Sequence, residues 1–125
     1  MRVEATGAEF TPHPAIEGIR EPGPIRSFTS HKAFTRYMGP AGEGKQWHHI
    51  VEQTPGNVAR FGPRALHNTA NVIRIDVKIH RKLNEHYSSN VEGGGMTVRK
   101  QLSTQSFEKQ RAYGIQALRD RGIIP

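Results

Sequence analysis

The apolar positions of this chain fall in short groups separated by glycine and proline, and their spacing predicts the elements one at a time. Phe34 and Met38 stand four apart, on one face of a short helix over residues 30–38, which Gly39-Pro40-Ala41-Gly42 ends. Trp47-His48-His49-Ile50-Val51-Glu52 is aromatic and β-branched, the composition of a strand. Pro55-Gly56-Asn57 turns the chain, and Gly62-Pro63 interrupts any period before Leu66, so residues 54–66 are expected to form a long loop with at most one helical turn. Val72, Ile73 and Ile75 suggest a second strand over 71–75. Asp76 is suited to cap a helix from Val77 to about Ser89, because its carboxylate can accept from the free N–H groups of the first turn. Ile79, Leu83 and Tyr87 follow at intervals of four and make its core-facing stripe. Beyond the flexible Gly93-Gly94-Gly95, a short helix is expected over 97–102 and a longer one over 107–121. Phe107, Arg111, Gly114, Ile115 and Leu118 share a face of the longer helix, and Gly122 is placed to stop it.

Ahead of these elements, Pro12, Pro14, Pro22 and Pro24 make residues 1–27 an extended lead-in, with Ile16, Ile19, Ile25 and Phe28 available to dot it onto the domain surface. The expected organisation is an arm and short helix over 1–45 packing on a domain over 46–125, one globular unit in all. A length of 125 residues suits a single modest core, and 34% hydrophobic content with 13 Gly and 8 Pro makes much of the chain loop. No stretch approaches the roughly 18 apolar residues of a membrane span, so no membrane insertion is expected. The opening Met1-Arg2-Val3-Glu4 is too polar for a signal peptide, so any export would depend on a larger carrier polypeptide or a secretion machine.

Charge and cysteine usage narrow the chemistry. The net charge is +7, and Lys and Arg exceed Asp and Glu mainly after residue 46, which favours a polyanionic partner. With no cysteine, a metal can be held only by His, Asn or carboxylate groups. The histidines are the candidates. On a regular strand His48 and His49 point to opposite faces, so one can bind an ion while the other acts on a water or braces the fold. On the following helix Asn84 lies about 40° from His80 and one turn along, whereas His86 lies about 120° away. Asn84 can therefore join His80 at an ion and His86 cannot. His67 reads as a turn residue, and His13, His31 and His86 as ordinary surface or packed histidines. Trp47 reads as a core anchor.

A Trp-His-His strand (Trp47, His48, His49), a central Asn (Asn71) and a helical His nine residues later (His80) resemble the HNH, or ββα-metal, nuclease superfamily. More narrowly, Trp47-His48-His49 resembles the WHH branch found at the C-termini of bacterial polymorphic toxins on Rhs-type and contact-dependent carriers. The resemblance covers about residues 45–118. It implies an α+β fold with a small ββα-metal (His-Me finger) core, additional helices and a loop-rich N-terminal arm. It also implies His49 as general base, Asn71 as the residue that bonds within the ββ loop and keeps the base in line, and His48 and His80 as metal ligands. Asn84 stands where related members have another His. The separation of 22 residues from His49 to Asn71 is longer than in compact members, which an inserted loop over 54–66 accounts for.

The activity so implied is metal-dependent hydrolysis of DNA with little sequence specificity, leaving 5′-phosphate and 3′-hydroxyl ends, by one divalent ion (Zn, Ni, Mn or Mg). Arg60, Arg64, Arg81 and Lys82 are the candidates to hold phosphates, each steepening the salt dependence of binding. The expected setting is an effector delivered into a target-cell cytoplasm and neutralised by an acidic immunity protein. The same centre turned on RNA, or a metal-stabilised module that only binds nucleic acid, are the competing readings.

Overall fold

The computed structural model of the chain describes residues 23–125 and has an α+β fold. In order, its elements are α1 (His31–Met38), β1 (Lys45–His49), α2 (Pro55–Phe61), α3 (Pro63–Leu66), β2 (Val72–Asp76), α4 (Val77–Ser88), α5 (Val98–Leu102) and α6 (Phe107–Asp120). The strands pair antiparallel, with Trp47 opposite Arg74, His48 opposite Ile73 and His49 opposite Val72. Directly opposed residues share a face, so this register sorts the side chains into two sets. A two-stranded sheet is marginal alone, and here each face carries its own core.

On one face α1 packs Phe34 edge-on against Trp47, with ring centroids 5.1 Å apart, beside Val72 and Ala41. The Trp47 indole N–H donates to the Gly39 carbonyl at 3.0 Å, and the Arg74 guanidinium lies 4.5 Å over the indole. Trp47 is thus the core anchor expected of it. On the other face Ile73 and Ile75 join Ile50, then Leu83 and Tyr87 from α4, Val98 from α5, and Leu118 from α6. The stripe of Leu83 and Tyr87 is the one its spacing predicts, with Ile79 packed at its edge.

Three local expectations are corrected. Residues 54–66 hold two helices rather than a loop with one turn. Pro55 and Pro63 do not break these helices; each stands in a first turn, where its missing N–H costs nothing. Thr54 Oγ1 caps α2 by accepting from Asn57 N–H, and the Asn57 and Gln110 side-chain amides, both buried, exchange two hydrogen bonds of 2.9 and 3.1 Å that tie α2 to α6. Second, Asp76 occupies the N-cap position of α4 without a side-chain cap bond. Its carboxylate turns instead to the Lys45 ammonium at 2.5 Å, its cross-strand partner. Third, β1 starts earlier than expected, at Lys45, and ends earlier, at His49, because Asn71 N–H turns back to the Asn68 carbonyl and Val51 N–H is taken by the Asn71 side chain.

The described part of the lead-in is laid against the segment before β2. Phe28 N–H donates to the His67 carbonyl at 2.8 Å, and Thr69 N–H to the Arg26 carbonyl at 3.0 Å. Ile16, Ile19 and His13 lie outside the described residues. Among the described residues no helix is long and apolar enough to cross a membrane.

Helix α6 crosses the chain just after β1 at Gly114. A Cβ there would sit 2.5 Å from the Ile50 carbonyl oxygen, and that oxygen is backbone and cannot swing aside. Gly114→Ala is therefore expected to cost about 1–3 kcal/mol, as overpacking does, seen as a lower urea midpoint at unchanged slope. An unchanged or higher midpoint would mean that α6 does not approach this closely.

Candidate metal centre

Strand alternation sends the two adjacent histidines of β1 into different company. His48 shares its face with Ile73 and meets α4, where the His80 ring stands nearly perpendicular to it at 5.6 Å between centroids. His48 is 5% exposed, and its Nε2 is buried without a hydrogen-bond partner. Burial, and then the neighbouring His80, holds its pKa down to about 3. His80 is also lowered by burial, against the opposing pull of the Glu52 carboxylate. Both rings are therefore neutral at neutral pH, which is the form that binds metal. They line a cleft of about 430 Å³ together with Glu52, Asn84 and Arg99.

Asn84 lies one turn after His80 on this cleft, as helical spacing required. Its side-chain oxygen accepts from Arg99 Nη2 at 2.9 Å, and Arg99 also donates from Nε to Glu52 Oε2 at 2.9 Å. The expected third ligand is thus held by an arginine, and Glu52 brings a carboxylate to the same cleft. Sequence reasoning gave neither Glu52 nor Arg99 a role. An acidic residue just past a His pair was the available signal for Glu52. Nothing local marked Arg99, 47 residues further on.

His49 faces the other way, with Val72, Trp47 and α1. Its Nε2 lies 3.1 Å from His67 Nδ1, and the His31 ring is 5.1 Å from its own. The ligand nitrogens of His31, His49 and His67 all lie within 4.8 Å of one another, so these three histidines can hold a metal ion. The expected ligand set was His48, His80 and Asn84, with His31 and His67 uninvolved. His67 does end a turn, as the C-cap of α3, but it is buried against His49. His31 could have been found from the sequence: it stands three residues before Phe34, so a helix that docks Phe34 on Trp47 brings His31 towards His49, two residues along the same strand face. Burial first, then His67, His31, His48 and His80, push the pKa of His49 to about 2, far below the ordinary value near 6.5 expected for a base.

Asn71 is buried and ties the turn after β1 to the segment before β2. Its Oδ1 accepts from Val51 N–H at 2.9 Å, and its Nδ2 donates to the Val51 and Leu66 carbonyls at 3.1 and 2.9 Å. With Ile50 N–H donating to the Asn71 carbonyl, these bonds fix the backbone that follows His49. His86 lies away from both clusters, with its Nε2 at the Tyr113 hydroxyl.

The expected phosphate contacts are dispersed. Arg60 donates to the Ser103 carbonyl and lies 4.7 Å over the Phe61 ring. Arg64 is half-buried on α3, and Arg81 and Lys82 are exposed on α4. The cations that line the cleft are Lys45 and Arg99, each paired with a carboxylate. No protein-family model matches this chain, and no curated protein and no solved structure matches it.

Proposed function

We propose that the protein is a metal-dependent endonuclease that hydrolyses DNA with little sequence specificity. The observation that carries this reading is the unpartnered, buried Nε2 of His48 beside His80 in an open cleft, one residue before His49. A buried imidazole nitrogen without a hydrogen bond is costly, and a divalent ion shared with His80 removes that cost. The donor types suit such an ion: two neutral imidazoles and water, with Glu52 and Asn84 on the same cleft, each bonded to Arg99. Bound there, the ion supplies Lewis-acid stabilisation to a phosphodiester and its leaving oxygen.

The chain's own residues do the rest. His49 takes a proton from the attacking water. For this its Nε2–H donates to His67 Nδ1, which leaves the lone pair on His49 Nδ1 as the acceptor. The low pKa of His49 keeps that lone pair unprotonated but makes it a weak base, and an anionic phosphate bound nearby strengthens it by stabilising the imidazolium that forms. Asn71 holds the backbone just beyond it. The resemblance of Trp47-His48-His49 to WHH toxin domains supports a role as a delivered antibacterial effector, carried by a larger chain or machine and countered by an acidic immunity protein, whose potential would speed its encounter with a basic surface.

Purified protein is expected to nick supercoiled plasmid with at least one of Mg²⁺, Mn²⁺, Ni²⁺ and Zn²⁺ and to stop on chelation. Degradation of total RNA with plasmid spared would make it a ribonuclease. Retention of DNA on a gel with no cleavage under any of these ions would make it a binding module. Growth of bacteria expressing the intact sequence without a partner would remove the toxin role.

A further inference from the structure

We propose that His31, His49 and His67 form a second, transition-metal site, and that filling it blocks His49 as a base. Among the described residues two buried side-chain atoms have no hydrogen-bond partner, and both are histidine nitrogens. One is His48 Nε2, assigned above. The other is His31 Nδ1, in a ring 5.1 Å from that of His49 and 6.1 Å from that of His67.

The geometry of this second cluster suits a tetrahedral ion. Zn–N bonds of about 2.0–2.1 Å put neighbouring ligand nitrogens about 3.3–3.4 Å apart. The pair His49 Nε2 and His67 Nδ1 already stands at 3.1 Å, and all three ligand atoms lie within 4.8 Å. Only His31 has to move in, and it sits half-buried on the first turn of α1 rather than in the core. With imidazoles alone and no carboxylate in the cluster, the site favours Zn²⁺, Co²⁺, Ni²⁺ or Cu²⁺ over Mg²⁺.

Occupation has a chemical consequence that follows from the tautomers. A neutral imidazole carries one ring proton. When His49 Nε2 binds an ion, that proton must move to Nδ1, with no net proton gained or lost by the ring. Nδ1 is the atom that accepts from water in the proposed hydrolysis, so a metal at Nε2 leaves it no lone pair. The protein would then be active with Mg²⁺ and shut off by a low concentration of Zn²⁺, a device that can hold it silent until the ion is withdrawn. The blocking rests on the nuclease reading; the site does not.

The test uses the full chain freed of metal. Co²⁺ titration followed by visible absorption, and Zn²⁺ titration by calorimetry, are expected to give two equivalents for the wild type and one each for His31→Phe and His80→Ala. His31→Phe keeps a ring against Phe34, and His31→Gln with unchanged circular dichroism guards against a packing fault. Histidine nitrogen NMR should show His49 passing to the Nδ1–H tautomer as the second equivalent binds. Equal stoichiometry in the wild type and His31→Phe overturns the site, and a His49 tautomer unmoved by Zn²⁺ overturns the blocking. In the activity arm, Zn²⁺ added to Mg²⁺-supported nicking should lower the rate at least tenfold in the wild type and less than twofold in His31→Phe, compared as ratios with and without Zn²⁺. Equal ratios overturn the blocking. Two equivalents with no plasmid nicking under any ion would retain the site and remove the nuclease reading.

Discussion

His49→Ala is expected to slow plasmid nicking by about 100- to 10,000-fold, the usual contribution of a positioned general base. The substitution removes an imidazole that lines the cleft beside His48 and His80 and whose Nε2 is held by His67. It leaves the His48 and His80 rings in place, so an ion bound there keeps its Lewis-acid contribution and some cleavage remains. The mutant should therefore retain one equivalent of metal and lose rate, whereas His80→Ala should lose both the equivalent at this cleft and the activity. That contrast separates a base from a ligand. Nicking by His49→Ala within tenfold of the wild type would end the assignment of His49.

Acid should unfold the metal-free protein unusually early. His48 and His49 are held near pKa 3 and 2 in the folded chain, chiefly by burial, against about 6.5 when unfolded. Between these limits the unfolded chain binds more protons, so stability rises with pH and is lost as pH falls below about 6.5. Each group contributes up to about 1.4 kcal/mol per pH unit well inside that window, and the pair together about 3 kcal/mol between pH 6.5 and 5. His31, His67 and His80 are lowered as well and act with the same sign. Against a total of about 5–15 kcal/mol for an ordinary domain, such a loss is large. Urea unfolding at pH 8, 7 and 5 in a chelator checks it: the stability should be nearly flat between pH 8 and 7 and fall steeply below. Equal stability at pH 7 and pH 5 would mean that these imidazoles are not buried in their neutral form. Zn²⁺ should protect over the same window, because metal and proton compete for the same nitrogens.

Much of this was legible in the order of residues. Period-two alternation set His48 and His49 on opposite faces, and the helical repeat put Asn84 with His80 and excluded His86. The four-residue spacing of Leu83 and Tyr87 drew the core face of α4. These are properties of a local period, carried by residues within a few positions of each other, and the backbone enforces them wherever the segment docks. Residues 54–66 were misjudged for a local reason too, since Pro55 and Pro63 start helices as readily as they end them.

What only the tertiary structure decided is the company each histidine keeps. His67 comes to His49 from 18 positions away, Arg99 reaches Glu52 from 47, and α1 brings His31 in because Phe34 finds Trp47. Lys45 takes the Asp76 carboxylate that a local view assigned to the helix cap. Such meetings depend on which faces dock, and docking is decided by the burial of whole surfaces rather than by spacing along the chain. The same burial leaves a nitrogen of His48 and one of His31 without partners. It gathers His31 and His67 around His49 and leaves His80 with His48, and one cleft is lined from both sets.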